Sequence, residues 1–413
     1  MTAVSPSPSL RKVLRASLVL LPYASYLGFL GILVVTLITC QAKRTALDSF
    51  TGRALLLIIG LMVLSSTVAY SRPEAFLQLG NFLPYFLFFA VAPLVFHRIE
   101  HWQQAATDLV LTILPLNLLS LVEYGLKSPA LPLAWQTIPW IEALRLEPHR
   151  GRAVVTFDHP NAFASYLVIV FGLGLGLLLS QLGQQRERTL LTRQNLWLLA
   201  ATFSCLIGIF ASGSRNGLLV AISQIGVFLL LTRINLTLLL SGLIGLVAVA
   251  GGAVLFGVGG RSLSDNWAKD PRTGAWGVAI DLIRERPWLG WGPGNYKVLF
   301  PPRTFDPVNY PKMFHPHNIW LLLGSEMGLI VTALVTLFVG YICYRAARVW
   351  LSQQFPPVEN GVLLAYGLGF WGCFAYGFLD VTLFDGRVHI LNWLTLSGLW
   401  FFGQFWKSKV SPD

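Results

Sequence analysis

The sequence predicts an all-α fold: a polytopic membrane bundle of about 11–12 transmembrane helices, with one long stretch between two of them forming a structured extracytoplasmic insert. Three observations lead there. Hydrophobic residues make up 54% of the 413 positions and charged ones only 12%, about half the fraction usual in a soluble protein. Apolar runs near the ~20 residues needed to cross about 30 Å of hydrocarbon recur from Leu18 to the last tryptophans. No long soluble block separates them, so residues 1–413 read as a single integral membrane domain.

The expected spans are residues 18–40, 54–70, 82–97, 106–122, 161–180, 196–212, 216–232, 236–258, 317–343, 361–379 and 388–405. The first follows MTAVSPSPSLRKVLRASLVLL, a basic stretch running into apolar residues as far as Cys40 without a small-residue cleavage site, which predicts one uncleaved helix. The net charge of +11, from 30 Lys+Arg against 19 Asp+Glu, is spread over short loops, an arrangement that argues for membrane topology and against a nucleic-acid partner. Arg186, Arg188 and Arg193, then Arg345 and Arg348, then Lys407 and Lys409 mark cytoplasmic segments. Counting from them sets residues 123–160, the SGSR turn and residues 259–316 on the opposite side. The same count leaves Arg11, Lys12 and Arg15 outside, a conflict that a twelfth helix or a surface-lying N-terminal helix removes. The four cysteines, Cys40, Cys205, Cys343 and Cys373, sit in or beside apolar runs as small packing residues, with no disulfide or zinc framework.

Residues 259–316 are too many for an idle connection and predict structure of their own. Within them GAWGVAIDLIRERPW spaces Trp276, Ile280, Ile283 and Trp288 along one side of a helix, suited either to the membrane surface or to a small packed cap. GWGPGNY lacks the strand and the G-K-[ST] that a nucleotide loop needs, and reads as a tight turn back to the membrane.

Polar chemistry gathers at helix mouths. ASGSRNG puts Arg215 in a turn with Asn216, where a guanidinium fork suits phosphate oxygens; the plainer reading is an arginine snorkelling at a helix end. DPRTGAW sets Arg272 at a helix start, where unpaired amides favour an anion; it, like the poorer candidate Arg261, is also what any surface loop carries. FDHPNAF and FHPHNIW bring His159, Asn161, His315 and Asn318 to the entrances of two helices, either as substrate contacts or as caps. His317, at the second entrance, is the candidate base, since imidazole takes up protons in the neutral range. The histidines lack metal-ligand spacing, and no metal or cofactor is expected. Glu326 predicts a buried structural pair, with Arg215 as a candidate partner; Asp380, Asp385, Arg387 and His389 read mostly as solvated loop charges.

Taken in order, HPNAFASYL, SGSRNG, Arg272 to Trp276, RPWLGWGPGNY and HPHNIWLLLGSEMGL resemble the O-antigen ligase and polymerase family of bacterial membrane proteins, over about residues 150–340. The resemblance implies a GT-C-like helical glycosyltransferase of the bacterial inner membrane, moving a glycan from an undecaprenyl-diphosphate carrier to an acceptor hydroxyl on a lipid or glycan. It serves lipopolysaccharide or related polysaccharide synthesis, on the periplasmic face and without a metal. On this chain it implies that Arg215 and Arg272 hold the diphosphate and that His317 activates the acceptor, with His315, Asn318, His159, Asn161 and Asn216 contacting substrate. Ligases, repeat-unit polymerases and protein O-glycosyltransferases share these motifs. The alternative from another class is a bicarbonate-type anion transporter, which would place its site near the bilayer midplane.

Overall fold

The computed structural model describes residues 8–42, 50–129, 131–146, 149, 151–184, 192–232 and 270–409, and among them every regular element is a helix. The expected span 236–258, Arg261 and the first part of the insert lie outside the described residues.

Hydropathy placed the long helices well. We name them α1 (Pro8–Leu20), α2 (Ser25–Ala42), α3 (Phe50–Thr67), α4 (Arg72–Gln78), α5 (Leu83–Val95), α6 (Ile99–Thr112), α7 (Leu114–Lys127), α8 (Leu133–Gln136) and α9 (Pro139–Leu146). There follow α10 (Pro160–Gln184), α11 (Arg193–Ala211), α12 (Arg215–Thr232), α13 (Pro271–Glu285), α14 (Tyr296–Leu299), α15 (Ile319–Leu351), α16 (Pro357–Tyr376) and α17 (Gly386–Gly403). Eight segments among the described residues are long and apolar enough to cross a membrane. The protein is therefore a multi-pass membrane helix bundle. The expected spans 361–379 and 388–405 appear as α16 and α17 but are not among those eight; both are largely enclosed by protein, where a helix need not be uniformly apolar.

The N-terminus differs from expectation. Pro22, which has no N–H and cannot carry a helix through, divides the run into α1 and α2. At 13 residues α1 is too short to span; it lies against α6, where Arg15 bonds Asp108 (2.6 Å) and Gln104 (2.8 Å) and Arg11 meets His101 (2.6 Å). The expected span 106–122 is likewise two helices, α6 and α7, parted ahead of Pro115.

At the centre runs α10, with 89% of its membrane-length window buried. It packs along α16 at a spacing only small residues allow: a methyl at Gly176 would lie 2.1 Å from the Ala365 nitrogen, and one at Gly361 2.4 Å from the Ser180 backbone.

The described part of the insert, from residue 270 on, packs as a cap. Ala275, Val278, Ala279 and Leu282 of α13 form a small core with Tyr296, Leu299, Phe300 and Met313. The face expected to be apolar is displaced by one position, leaving Ile280 and Trp288 exposed. The turn after α13 wedges into α15, which is not the continuous span expected at 317–343 but is broken at Gly328 (φ 80°). There the insert replaces the missing helix bonds: Trp291 N donates to Ser325 O (3.1 Å), Gly292 N to Glu326 O (2.6 Å) and Leu329 N to Pro287 O (2.7 Å). From α3, the Ser65 hydroxyl donates to Leu289 O (2.7 Å). The GWGPGNY stretch is thus a turn, as expected, with Gly290, Gly292 and Gly294 all at positive φ.

Candidate functional site

Polar residues from five segments meet at one end of the bundle, around the chain that leaves α16. Asp380 lies four residues beyond Tyr376 and is only 4% exposed. Its Oδ1 accepts from His317 Nδ1 (2.8 Å) and Val381 N (2.9 Å), and its Oδ2 from Asn161 Nδ2 (2.6 Å). Asn161 in turn accepts from Arg152 Nη2 (2.7 Å), whose Nε donates to Ser212 O (2.7 Å). One network therefore ties the entrance of α10, the end of α11, the entrance of α15 and the exit of α16.

His317 is held unusually. Its φ of 53° is uncommon for a residue with a side chain, and it sits just ahead of Asn318, which caps α15 by accepting from Leu321 N (3.0 Å) and reaches Phe378 O (3.0 Å). The His317 amide donates to His315 Nδ1 (3.3 Å). With Nδ1 bonded to a carboxylate, the other ring nitrogen, Nε2, is the one left for a reacting proton. His159 caps the start of α10 by accepting from Asn161 N (3.1 Å).

Burial, together with neighbouring His149 and Arg152, brings His159 down to about 4, and burial with the His317 charge does the same for His315. Burial alone would raise Asp380; the hydrogen bond and charge of His317, with His315 and Asn161, outweigh it and hold the carboxyl below its usual range.

Tyr376 is the second hub. Its hydroxyl bonds Ser214 Oγ (2.8 Å), and its carbonyl accepts from Asn216 Nδ2 (3.2 Å), so Arg215, which opens α12 between those two residues, lies beside it. Arg272 stands in the first turn of α13, where Asp270 caps its amide (3.0 Å) and lies 3.6 Å from its guanidinium. Tyr376 thus lies beside the turn that carries Arg215, four residues before the Asp380 that holds His317, while Arg272 is held at the start of α13 by Asp270.

Reading the sequence missed three members of this network: Asp380, Arg152 and Tyr376. The expectation of solvated charges in the last turn is corrected: Asp380, Arg387 and His389 are 4%, 6% and 2% exposed. Arg387 pairs with Asp385 (2.6 Å), donates to Thr156 O (2.6 Å) and covers the Phe157 ring (3.9 Å). Glu326 is buried as expected, but its carboxylate accepts from the Tyr296 amide of the insert (3.1 Å), the partner in place of the expected Arg215.

The donor atoms of His315, His317 and Asp380 lie within 4.8 Å of one another, close enough for a metal ion, although the spacing rules had pointed away from one. Two of these donors already serve hydrogen bonds inside the group, His317 Nδ1 to Asp380 and His315 Nδ1 to the His317 amide.

Two hollows adjoin the network. An apolar cavity of about 670 Å³ runs between α15, α16 and α17, lined by Trp320, Leu323, Met327, Phe374, Trp393 and Leu396 among others. A polar pocket of about 390 Å³ is lined by His159, His315, His317, Lys297, Gln78 and Asp158 among others. Asp380, Val381 and Thr382 belong to the walls of both.

Fold and site together define a multi-pass membrane protein with a polar centre where an apolar cavity ends. A model of the O-antigen ligase family matches residues 200–336, a stretch holding Arg215, Arg272 and His317. The match supports an O-antigen ligase/polymerase family protein, as the order of the motifs implied. HPNAFASYL, Arg152 and Asp380 lie outside the matched stretch. No curated protein matches the chain.

Proposed function

We propose that this chain is a glycosyltransferase of the bacterial inner membrane that moves a glycan from an undecaprenyl-diphosphate carrier to an acceptor hydroxyl, working on the periplasmic face as one integral membrane domain with its insert as a cap. One observation carries the reading: the apolar cavity and the polar pocket share the wall that bears Asp380. A lipid-linked sugar needs that junction, a dry groove for the polyprenyl tail opening onto a wet chamber for sugar and acceptor.

The chemistry follows from the groups present. The acceptor hydroxyl gives its proton to His317 Nε2 while Asp380 holds the ring through Nδ1, and its oxygen attacks the anomeric carbon. The carbon–oxygen bond to the diphosphate breaks, and undecaprenyl diphosphate leaves with the electron pair. Arg215, at the start of α12, and Arg272, in the first turn of α13, stabilise the charge that develops on it, so two cations and a base supply what the step requires. Arg152 steadies Asn161 and through it Asp380. An anion carrier would hold its polar groups at the bilayer midplane between broken or repeated helices. Here they sit where α10, α12 and α15 begin and α16 ends.

The test is glycan transfer by purified protein in nanodiscs, with undecaprenyl-diphosphate oligosaccharide as donor, in the presence of EDTA. Wild type should transfer. His317→Ala and Arg215→Ala, with unchanged thermal unfolding, should each lose about 10²–10³ of the rate. Full activity in either variant overturns the assignment of that residue, and arginine-dependent anion flux without transfer returns the protein to the carrier class.

A further inference from the structure

The segment that leads into α10 is held by an ion pair that the transfer chemistry does not touch. Glu123 and Lys127 lie one turn apart near the end of α7, and their side chains, 11% and 0% exposed, pair at 2.7 Å. Taking two charges out of water is costly and is offset only where further hydrogen bonds complete both partners. Here one stretch of chain completes the two of them. The Glu123 carboxylate accepts from the successive amides of Val154 (3.2 Å) and Val155 (2.7 Å), and Lys127 Nζ donates to Arg152 O (3.2 Å).

Those amides open a turn in which Phe157 N donates to Val154 O (2.9 Å). Val155, its second residue, has φ 54°, while Thr156, its third, keeps a negative φ. That is the pattern of a type II′ turn, whose second position ordinarily belongs to glycine. A β-branched residue there is a steric outlier, and its surroundings must impose the conformation. Glu123 does so, because an anion bound by consecutive N–H groups fixes the backbone between them.

The turn sets the register of the site on its near side. Arg152, two residues ahead of it, bonds Ser212 O and Asn161; Asn161 bonds Asp380, and Asp380 holds His317. On the far side, Thr156 O accepts from Arg387 Nη1 (2.6 Å), and the Phe157 ring lies under the same guanidinium. Arg387 anchors one flank of the turn, and Glu123 anchors the other.

We propose that Glu123 is a positioning residue of the site: its charge holds Val155 in a conformation suited to glycine, and the turn so formed delivers Arg152 to Asn161 and thereby orients the Asp380–His317 pair. The role in transfer rests on the glycosyl-transfer reading, whereas the anchoring rests on the hydrogen bonds of α7 alone. An ion pair that served stability only would leave turnover untouched once its two charges were removed together.

The experiment uses full-length protein in nanodiscs. Glu123→Gln leaves the buried Lys127 charge without its partner, so the neutral pair Glu123→Gln/Lys127→Met is prepared beside it and checked for wild-type thermal unfolding. Amide hydrogen exchange over 152–157 should run about tenfold or more faster in both, with exchange along α10 unchanged. In glycan transfer, kcat should fall by about 10–100-fold with donor and acceptor KM little changed. Adding Val155→Gly to the neutral pair supplies a residue that takes positive φ without strain, and should return kcat to within roughly threefold of wild type.

Wild-type kcat in the folded neutral pair, or a loss of kcat that Val155→Gly does not restore, overturns the proposal. So does a raised KM with kcat intact, which would make Glu123 a substrate contact. A wild type that transfers no glycan sinks the transfer reading instead; faster exchange at 152–157 then upholds the Glu123 anchor, and unaltered exchange removes it as well.

Discussion

Asp380 decides which way the His317 ring presents itself. Replacing it by Asn keeps the shape but allows the amide to donate to Nδ1, favouring the wrong tautomer. Asp380→Asn should lower kcat by about 10²–10⁴ with donor and acceptor KM little changed, as measured by transfer in nanodiscs. His315 adds a dependence on pH. Its folded value of about 4 lies below the ordinary 6.5, so the unfolded chain takes up its proton first. The stability it contributes is complete above about pH 6.5 and is lost as pH falls toward 4, of order 1–3 kcal/mol. Thermal unfolding across that window should show the loss, and His315→Gln should flatten it; an unchanged slope would disprove the contribution. His317, Arg215 and Arg272 stood out in the sequence because a polar residue at the mouth of an apolar helix needs a reason. Asp380 did not, because an acid in a short outer turn looks the same whether it is solvated or buried. What separates the two cases is a partner 63 residues away in sequence.

The helices themselves were legible for the corresponding reason: crossing hydrocarbon demands a long apolar run, and such runs are visible one by one. Interruptions were less so. Pro22 and Pro115 mark breaks that an average over neighbouring residues smooths away, and the break at Gly328 depends on an insert 36–41 residues earlier supplying substitute hydrogen bonds. That glycine has no tolerated replacement. At φ 80° a side chain is strained by about 1–3 kcal/mol, and a methyl would also lie 2.1 Å from Trp288 O. Gly328→Ala should lower the unfolding temperature and expose the segment 286–292 to protease, with α10 still protected. Gly176→Val strikes the other junction, where α10 meets α16, and should remove folded protein from the membrane altogether; recovery at wild-type yield in a monodisperse form would refute the close packing assigned there.

On the scale of the whole molecule, an apolar hollow and one lined by several titratable side chains meet at one strip of chain, Asp380 to Thr382. That juxtaposition was not readable in advance, since it is made by α15, α16 and α17 on one side and by α4, α10 and the insert on the other. The sequence offered the greasy helices and the polar mouths separately; only packing brings them into register. The wall between them also predicts how the two substrates interfere. A bulky substitution at Val381, such as Val381→Trp, should raise the KM of donor and acceptor together, unlike changes deeper in either hollow, and steady-state kinetics with each substrate varied in turn would detect it.

The insert's grip on α15 has a consequence for exchanging parts between proteins. Because the turn at 287–292 completes the hydrogen bonding of a helix it does not belong to, cap and helix are halves of one joint. A chimera that carries this cap onto another bundle must bring GSEMG with it, or the host helix, unbroken, will have no socket to receive the turn.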